Sequence, residues 1–176
     1  MSVTLILGGA RSGKSSRAEA IAKSLHEKPV YVATAPLIDH DREWLARIER
    51  HRSQRGDMWQ LVEEELALAN VLQKHAVAGQ VVLVDCMTLW LSNLLYAERD
   101  IDLAVDQLSE LLPQLSGDLI MVANEVGMGL VPESAEGRLF RDAQGRLNQR
   151  LAAMADQVEF VAAGLPLCLK GETIVC

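Results

Sequence analysis

The sequence predicts an α/β protein built on a mostly parallel sheet with helices on both faces. Three observations lead there. Short apolar runs recur between helix-length amphipathic segments. Most of these runs lack apolar–polar alternation, as strands do when both faces of a sheet are covered. A glycine-rich turn follows the first run directly and opens a helical pattern.

Taken in order, strands are expected at Val3–Leu7, Val30–Thr34, Gln60–Glu63, Val81–Asp85, Leu119–Ala123 and Val158–Ala162, with a short apolar piece at Leu167–Leu169 as a further one. Helices are expected at 14–25, 41–54, 64–75, 87–97, 102–114 and 135–155. Strand alternating with helix is the pattern of a parallel sheet with crossover helices. The polar stretch 97–104 reads as a loop. Residues 124–137 hold three glycines and a proline and have little helical periodicity. They read as a long connection after a strand, where α/β proteins carry their sites. There is no repeat, low-complexity tract or linker, so a single domain over 1–176 is expected.

The turn after the first strand is Gly8-Gly9-Ala10-Arg11-Ser12-Gly13-Lys14-Ser15, which satisfies the P-loop pattern. Its glycines let backbone N–H groups face phosphate oxygens, its lysine reaches the β- and γ-phosphates, and its serine hydroxyl suits Mg²⁺. The helix that starts there adds its positive end. The context is the required one, an apolar strand before and an amphipathic helix after. The fold expected is therefore a P-loop NTPase of RecA-like type. Such a site needs a second acidic residue beside the metal, usually at the end of another buried strand. Asp85, closing Val81-Val82-Leu83-Val84-Asp85, fills that role, so Ser15 and Asp85 are the expected metal ligands.

Composition narrows the partners. The chain is 49% hydrophobic, enough for a core, and carries a net charge of −7, which argues against general nucleic-acid binding. No apolar run reaches membrane-spanning length and no signal-peptide pattern opens the chain, so a cytoplasmic protein is expected. Cys86, Cys168 and Cys176 form no paired motif and read as reduced thiols.

Against this acidic background one segment is basic. Arg42–Arg55 holds five arginines against two glutamates, a net +3. Trp44, Leu45 and Ile48 form an apolar stripe, which predicts an amphipathic helix, and His51 continues that stripe. Two readings of His51 stand side by side. It packs at the end of the stripe, with the arginines a solvated face; or the arginines gather phosphates and His51 acts as a nucleophile at phosphorus. The remaining histidines, His26, His40 and His75, read as surface residues.

Taken together these blocks resemble the bifunctional adenosylcobinamide kinase/adenosylcobinamide-phosphate guanylyltransferase family of cobalamin biosynthesis. Four stretches carry the resemblance: Gly8–Ser15 with Arg17 and Glu19; Tyr31–Ala35; Arg47–His51 with Arg55, Trp59 and Glu63; and Asn124–Glu133, continued by Phe140-Arg141-Asp142 and Gly145–Arg150. The resemblance covers nearly the whole chain. It implies two reactions. A nucleoside triphosphate, ATP or GTP, phosphorylates the aminopropanol hydroxyl of adenosylcobinamide; GTP then gives GMP to that phosphate through a GMP-histidine intermediate, releasing pyrophosphate. His51 is the matching histidine, and Lys14 the matching P-loop lysine. Some relatives carry a second histidine beside the reactive one, where this chain has Arg50. The resemblance also implies nucleotide contacts from Gly8, Gly9, Ala10, Arg11, Ser12, Gly13, Lys14, Ser15, Ala33, Thr34, Ala35, Arg52, Ser53, Gln54, Arg55, Glu63 and Asp85. It implies Mg²⁺ and a homotrimer. Glu63 can accept hydrogen bonds from a ribose or from guanine N–H groups; Trp59 either stacks on a base or packs. A kinase without the guanylyl step would use the same P-loop and leave the His51 cluster without a role.

Overall fold

The apolar runs become the strands of one seven-stranded sheet in the order β3-β2-β4-β5-β1-β6-β7. The computed structural model describes residues 1–36, 42, 45–46 and 56–172. The strands are β1 (Val3–Gly8), β2 (Val30–Ala33), β3 (Gln60–Glu63), β4 (Val81–Asp85), β5 (Asp118–Asn124), β6 (Gln157–Ala162) and β7 (Leu165–Lys170). All neighbours pair in parallel except β6 and β7, which form an antiparallel hairpin. This is the expected P-loop α/β architecture, with one reversed strand at an edge.

Helices α1 (Lys14–Leu25), α2 (Leu68–His75), α3 (Met87–Tyr96), α4 (Ile101–Leu111) and α5 (Ala135–Met154) cover the sheet. Successive side chains of a strand point to opposite faces, and the core divides accordingly. Leu5, Leu7, Val82, Val84, Leu119 and Met121 join Leu72 of α2, Leu91 of α3, Leu108 of α4 and Leu147 of α5. Ile6, Leu83, Ile120 and Val122 face Ala18, Ile21 and Ala22 of α1. Each fully buried Leu or Ile contributes about 1.5–3 kcal/mol, so the central strands β4, β5 and β1 anchor the fold.

Several boundaries differ from the sequence reading, each for a local reason. Residues 64–67 are not helical; the Glu64 carboxylate accepts from the N–H groups of Leu66 (2.8 Å) and Ala67 (2.8 Å) ahead of α2. The polar stretch 97–104 is a loop only as far as Asp100. That residue caps α4, its side chain accepting from Leu103 N–H at 3.0 Å, so 101–104 are helical. At the other end Pro113 turns the chain into a short 3₁₀ segment, Leu112–Gln114. The final strand is longer than expected because it pairs with β6 from Leu165 opposite Ala162 to Lys170 opposite Val158. The helix expected over 41–54 falls almost wholly outside the described residues; Arg42, Leu45 and Ala46, which are described, are helical.

One buried ion pair ties α1 to the sheet. Arg17 Nε and Nη2 donate to Glu159 Oε2 and Oε1 of β6, both at 2.8 Å. The Glu159 side chain is 1% exposed and that of Arg17 15%. Removing one partner strands a buried charge, which costs about 3–5 kcal/mol. Arg17→Met is therefore expected to lower stability by about that amount in urea unfolding, and adding Glu159→Gln to it should restore a large part.

Candidate active site

The cradle forms where β1 gives way to α1. A Cβ on Gly8 would lie 2.5 Å from Ser12 Oγ and 2.5 Å from the Val161 carbonyl, so nothing larger than glycine fits. Gly13 has φ 97° and Arg11 φ 56°, the left-handed turns that curl the loop back on itself. Gly13 is also the N-cap of α1 and has no side chain with which to cap it. The positive end of its dipole is thus presented to an anion. Ser12 is buried, and its Oγ has no hydrogen-bond partner among the described residues. Lys14 Nζ folds over the loop and donates to the Gly9 carbonyl at 3.2 Å. Ser15 is half-buried at the head of α1.

The loop is braced from the far edge. Gly164 N–H, in the β6–β7 turn, donates to the Ser12 carbonyl at 2.8 Å. Ala163 (φ 52°) and Gly164 (φ 80°) form that left-handed turn. Sequence reading missed this contact because it joins residues far apart in the chain.

Asp85 closes β4 and is half-buried. It pairs in register with Ala33 of β2 and Val122 of β5, which places it at the carboxyl edge, where the cradle also lies. Tyr31 Oη donates to its Oδ2 at 2.8 Å. The Asp85–Cys86 peptide is cis. Thr34 Oγ1 accepts from Cys86 N–H (2.9 Å) and donates to the Cys86 carbonyl (2.7 Å). The Thr34 carbonyl accepts from Asn93 Nδ2 at 2.8 Å, so Thr34, wholly buried, serves the frame behind Asp85. Ala33 and Ala35 on either side of it are half-buried. Burial, and secondarily the Asp85 charge, push the Cys86 thiol up to about 11, which leaves it a neutral and unreactive neighbour of Asp85.

Glu63 ends β3, exposed and in register with Ala33. It therefore stands on the same carboxyl edge, farther from the loop. Trp59 packs: it is 7% exposed and meets Tyr31 edge-on at 5.3 Å, with Lys23 Nζ 5.5 Å from its ring centre. His26 Nδ1 accepts from Lys28 N–H in a local turn, and His75 is half-buried in α2. His51 with Arg52, Ser53, Gln54 and Arg55 lies outside the described residues, as does His40. A separate cleft of about 210 Å³ runs between α4 and α5, lined by Arg99, Asp100, Arg146 and Arg150 among others, and shares no residue with the cradle. Arg150 there is paired with Asp102 and Asp106.

A glycine-tight phosphate loop at an uncapped helix start, with an acidic strand end on the same sheet edge, defines a P-loop nucleotide-binding enzyme. Its class is narrower still. The family model described as "Cobinamide kinase / cobinamide phosphate guanyltransferase" matches residues 4–169, and the chain belongs to that family. It is similar to the bifunctional adenosylcobalamin biosynthesis protein CobP of Pseudomonas aeruginosa, 45% identical over 97% of this chain and 98% of that one. It is also similar to the bifunctional adenosylcobalamin biosynthesis protein CobU of Escherichia coli, 36% identical over 94% of this chain and 98% of that one. Among solved structures, a Pyrococcus horikoshii protein superposes with a TM-score of 0.57 at 9% identity, covering 98% of this chain and 87% of that one, a likeness of fold alone. No helix among the described residues is long and apolar enough to cross a membrane.

The packing at Gly8 gives a direct test. Gly8→Ala forces Ser12 or the β6 backbone to move, at about 1–3 kcal/mol of overpacking. A lower melting temperature and at least about tenfold weaker binding of a fluorescent nucleotide are expected.

Proposed function

We propose that this enzyme, acting as one catalytic domain over residues 1–176, phosphorylates adenosylcobinamide with ATP or GTP and then guanylylates the product with GTP. The observation that carries the reading is the family match over nearly the whole chain, joined to a phosphate loop whose geometry suits a nucleoside triphosphate. In the first reaction the aminopropanol oxygen attacks the γ-phosphorus and the nucleoside diphosphate leaves. The ammonium of Lys14 offsets the negative charge on the phosphates, since phosphoryl transfer is promoted chiefly by positioning and electrostatics.

The donor set at the edge fits Mg²⁺. Asp85 gives one carboxylate oxygen to Tyr31, which leaves Oδ1, and Ser15 supplies a hydroxyl. Two hard oxygen donors, completed by phosphate and water, suit this ion. Among the described residues no three His, Cys, Asp or Glu side chains cluster as a closed metal cage would require. Ser15 and Asp85 would hold the ion, which would offset negative charge on the phosphates.

In the second reaction a ring nitrogen of His51 attacks the α-phosphorus of GTP, and the bond to pyrophosphate breaks. The phosphate oxygen of cobinamide phosphate then attacks that phosphorus and the P–N bond breaks, returning the histidine. The arginines of Arg42–Arg55 supply the positive charge that stabilises the anionic phosphorus. Nucleotide contacts are assigned to the cradle, Ala33, Ala35, Arg52–Arg55, Glu63 and Asp85, but not to Thr34, which is wholly buried in the frame. A phosphoramidate is labile to acid and stable to alkali. Incubation with α-labelled GTP is expected to leave acid-labile label on the wild-type protein and none on His51→Ala. Label persisting on His51→Ala would remove the histidine from the mechanism, and an unlabelled wild type would reduce the protein to a kinase.

The same reading includes a homotrimer. The leucines of edge strand β7 support self-association: Leu165 is 73%, Leu167 61% and Leu169 56% exposed. An uncovered apolar edge is a surface proteins ordinarily cover. Light scattering is expected to give three times the chain mass for the wild type and a smaller species for Leu167→Asp.

A further inference from the structure

The chain leaves β5 at Asn124, which stands in register with Gly8, the first residue of the cradle. That strand lies between β4, which ends in Asp85, and β1, which runs into the cradle. Residues 125–133 therefore begin at the carboxyl edge, between the acid and the phosphate site. They are fixed at both ends. Glu125 donates its N–H to the Gly8 carbonyl at 3.0 Å, and its carboxylate accepts from Gly127 N–H. At the far end the Arg138 guanidinium donates to the carbonyls of Pro132 (3.1 Å) and Glu133 (2.6 Å). A Cβ on Gly137 would come within 2.8 Å of Pro132, so the first turn of α5 is packed against this loop as well.

The middle of this anchored loop is apolar and uncovered. Leu130 is 96% exposed and Met128 80%, with Val131 exposed beside them. Apolar side chains scattered singly are ordinary on a protein surface, whereas several gathered at one place mark a surface that meets something. Between Met128 and Leu130 stands Gly129. Its backbone is not in the left-handed region, and a Cβ built on it would meet nothing within 4 Å. Neither turn geometry nor packing within the chain requires glycine there. A glycine without an internal reason suits the close approach of a ligand to the backbone.

We infer that Met128, Leu130 and Val131, with the bare backbone of Gly129 among them, form the seat for the body of the acceptor substrate. The kinase reaction fixes where that body lies. In-line transfer puts the acceptor oxygen opposite the leaving diphosphate, and the cradle holds the diphosphate. The rest of the acceptor therefore lies outward of the cradle, over the carboxyl edge from which this loop rises. The acceptor of the proposed reaction is a macrocycle with methyl and carboxamide groups round its rim, too broad to enter the cradle. The exposed apolar side chains cover its methyl groups, and the backbone at Gly129 is open to its carboxamides. The inference rests on the proposed function and names the surface that gives that reaction its acceptor.

The test is steady-state phosphorylation of adenosylcobinamide by wild type, Gly129→Ala, Leu130→Ser and the double variant Met128→Ser with Leu130→Ser. In Leu130→Ser the KM for the corrinoid is expected to rise about tenfold with kcat within about twofold, the mark of binding lost equally before and during reaction. It should rise further in the double variant, and also in Gly129→Ala, where a methyl group holds the ligand off the backbone. These side chains are exposed, so the melting temperature and the affinity for a non-hydrolysable triphosphate analogue should match those of the wild type. Light scattering should give the wild-type mass. An unchanged KM in the double variant would overturn the assignment. A smaller mass would overturn it too, by making the patch a contact between copies of the chain, and a fall in nucleotide affinity would do so by placing the loop in the nucleotide site. A wild type that leaves the corrinoid unphosphorylated would instead overturn the proposed function, and that result is read without any variant.

Discussion

The site depends on how closely the loop after β1 is packed. Gly8 sits where a methyl group would strike both Ser12 and the β6 backbone, and a Cβ on Gly13 would stand 3.1 Å from Gly164 Cα. The loop is therefore clasped between α1 and the β6–β7 turn, with the Ser12 carbonyl bonded across to Gly164. An anion site of this kind gains its selectivity from amide groups fixed before the ligand arrives. The brace supplies that fixity, and the Arg17–Glu159 pair, which joins α1 to the same strand β6, reinforces it.

Around the loop, polar groups are arranged on a simple plan. Those that hold the frame have partners among the described residues. Thr34 satisfies the backbone of Cys86, Asn93 satisfies the carbonyl of Thr34, and together they keep Asp85 at the end of β4. Tyr31 takes one oxygen of Asp85 and leaves the other. Thr88 and Asn148 hold the backbone of Asn124 and leave its side chain. Ser12 Oγ and Asn124 Oδ1 are both sealed and without partners among the described residues.

The strands were legible because their signal is burial on both faces. Val81–Asp85 and Leu119–Ala123 read as unbroken apolar runs and occupy the centre of the sheet. The loop was legible because its chemistry is local: glycine, lysine and serine at fixed spacing must lie next to one another. What could not be read was non-local or ambiguous. Asp100 is a polar residue in a polar stretch, and only the hydrogen bond to Leu103 shows it to be a cap. Glu64 looked like the start of a helix that it instead precedes. Trp59 had two readings until its packing on Tyr31 was seen. Gly164 and Thr88 carry no motif of their own, and their importance comes from neighbours more than thirty residues away.

The sheet order has a consequence for how the protein comes into being. Strand β1 pairs with β5 and β6 alone, so Val3 meets Leu119 and Thr4 meets Gln157. During synthesis the cradle sequence emerges early and then waits for most of the remaining chain before its strand has any partner. Contacts of such long sequence separation are slow to form, because the loop entropy must be overcome before they yield any stabilisation. In the interval an apolar strand, Val3–Leu7, is exposed with both its edges open, a state prone to off-pathway association. Because its parts come together only when the central strands have assembled, a nucleotide able to bind the finished cradle would favour the folded chain over every incomplete one.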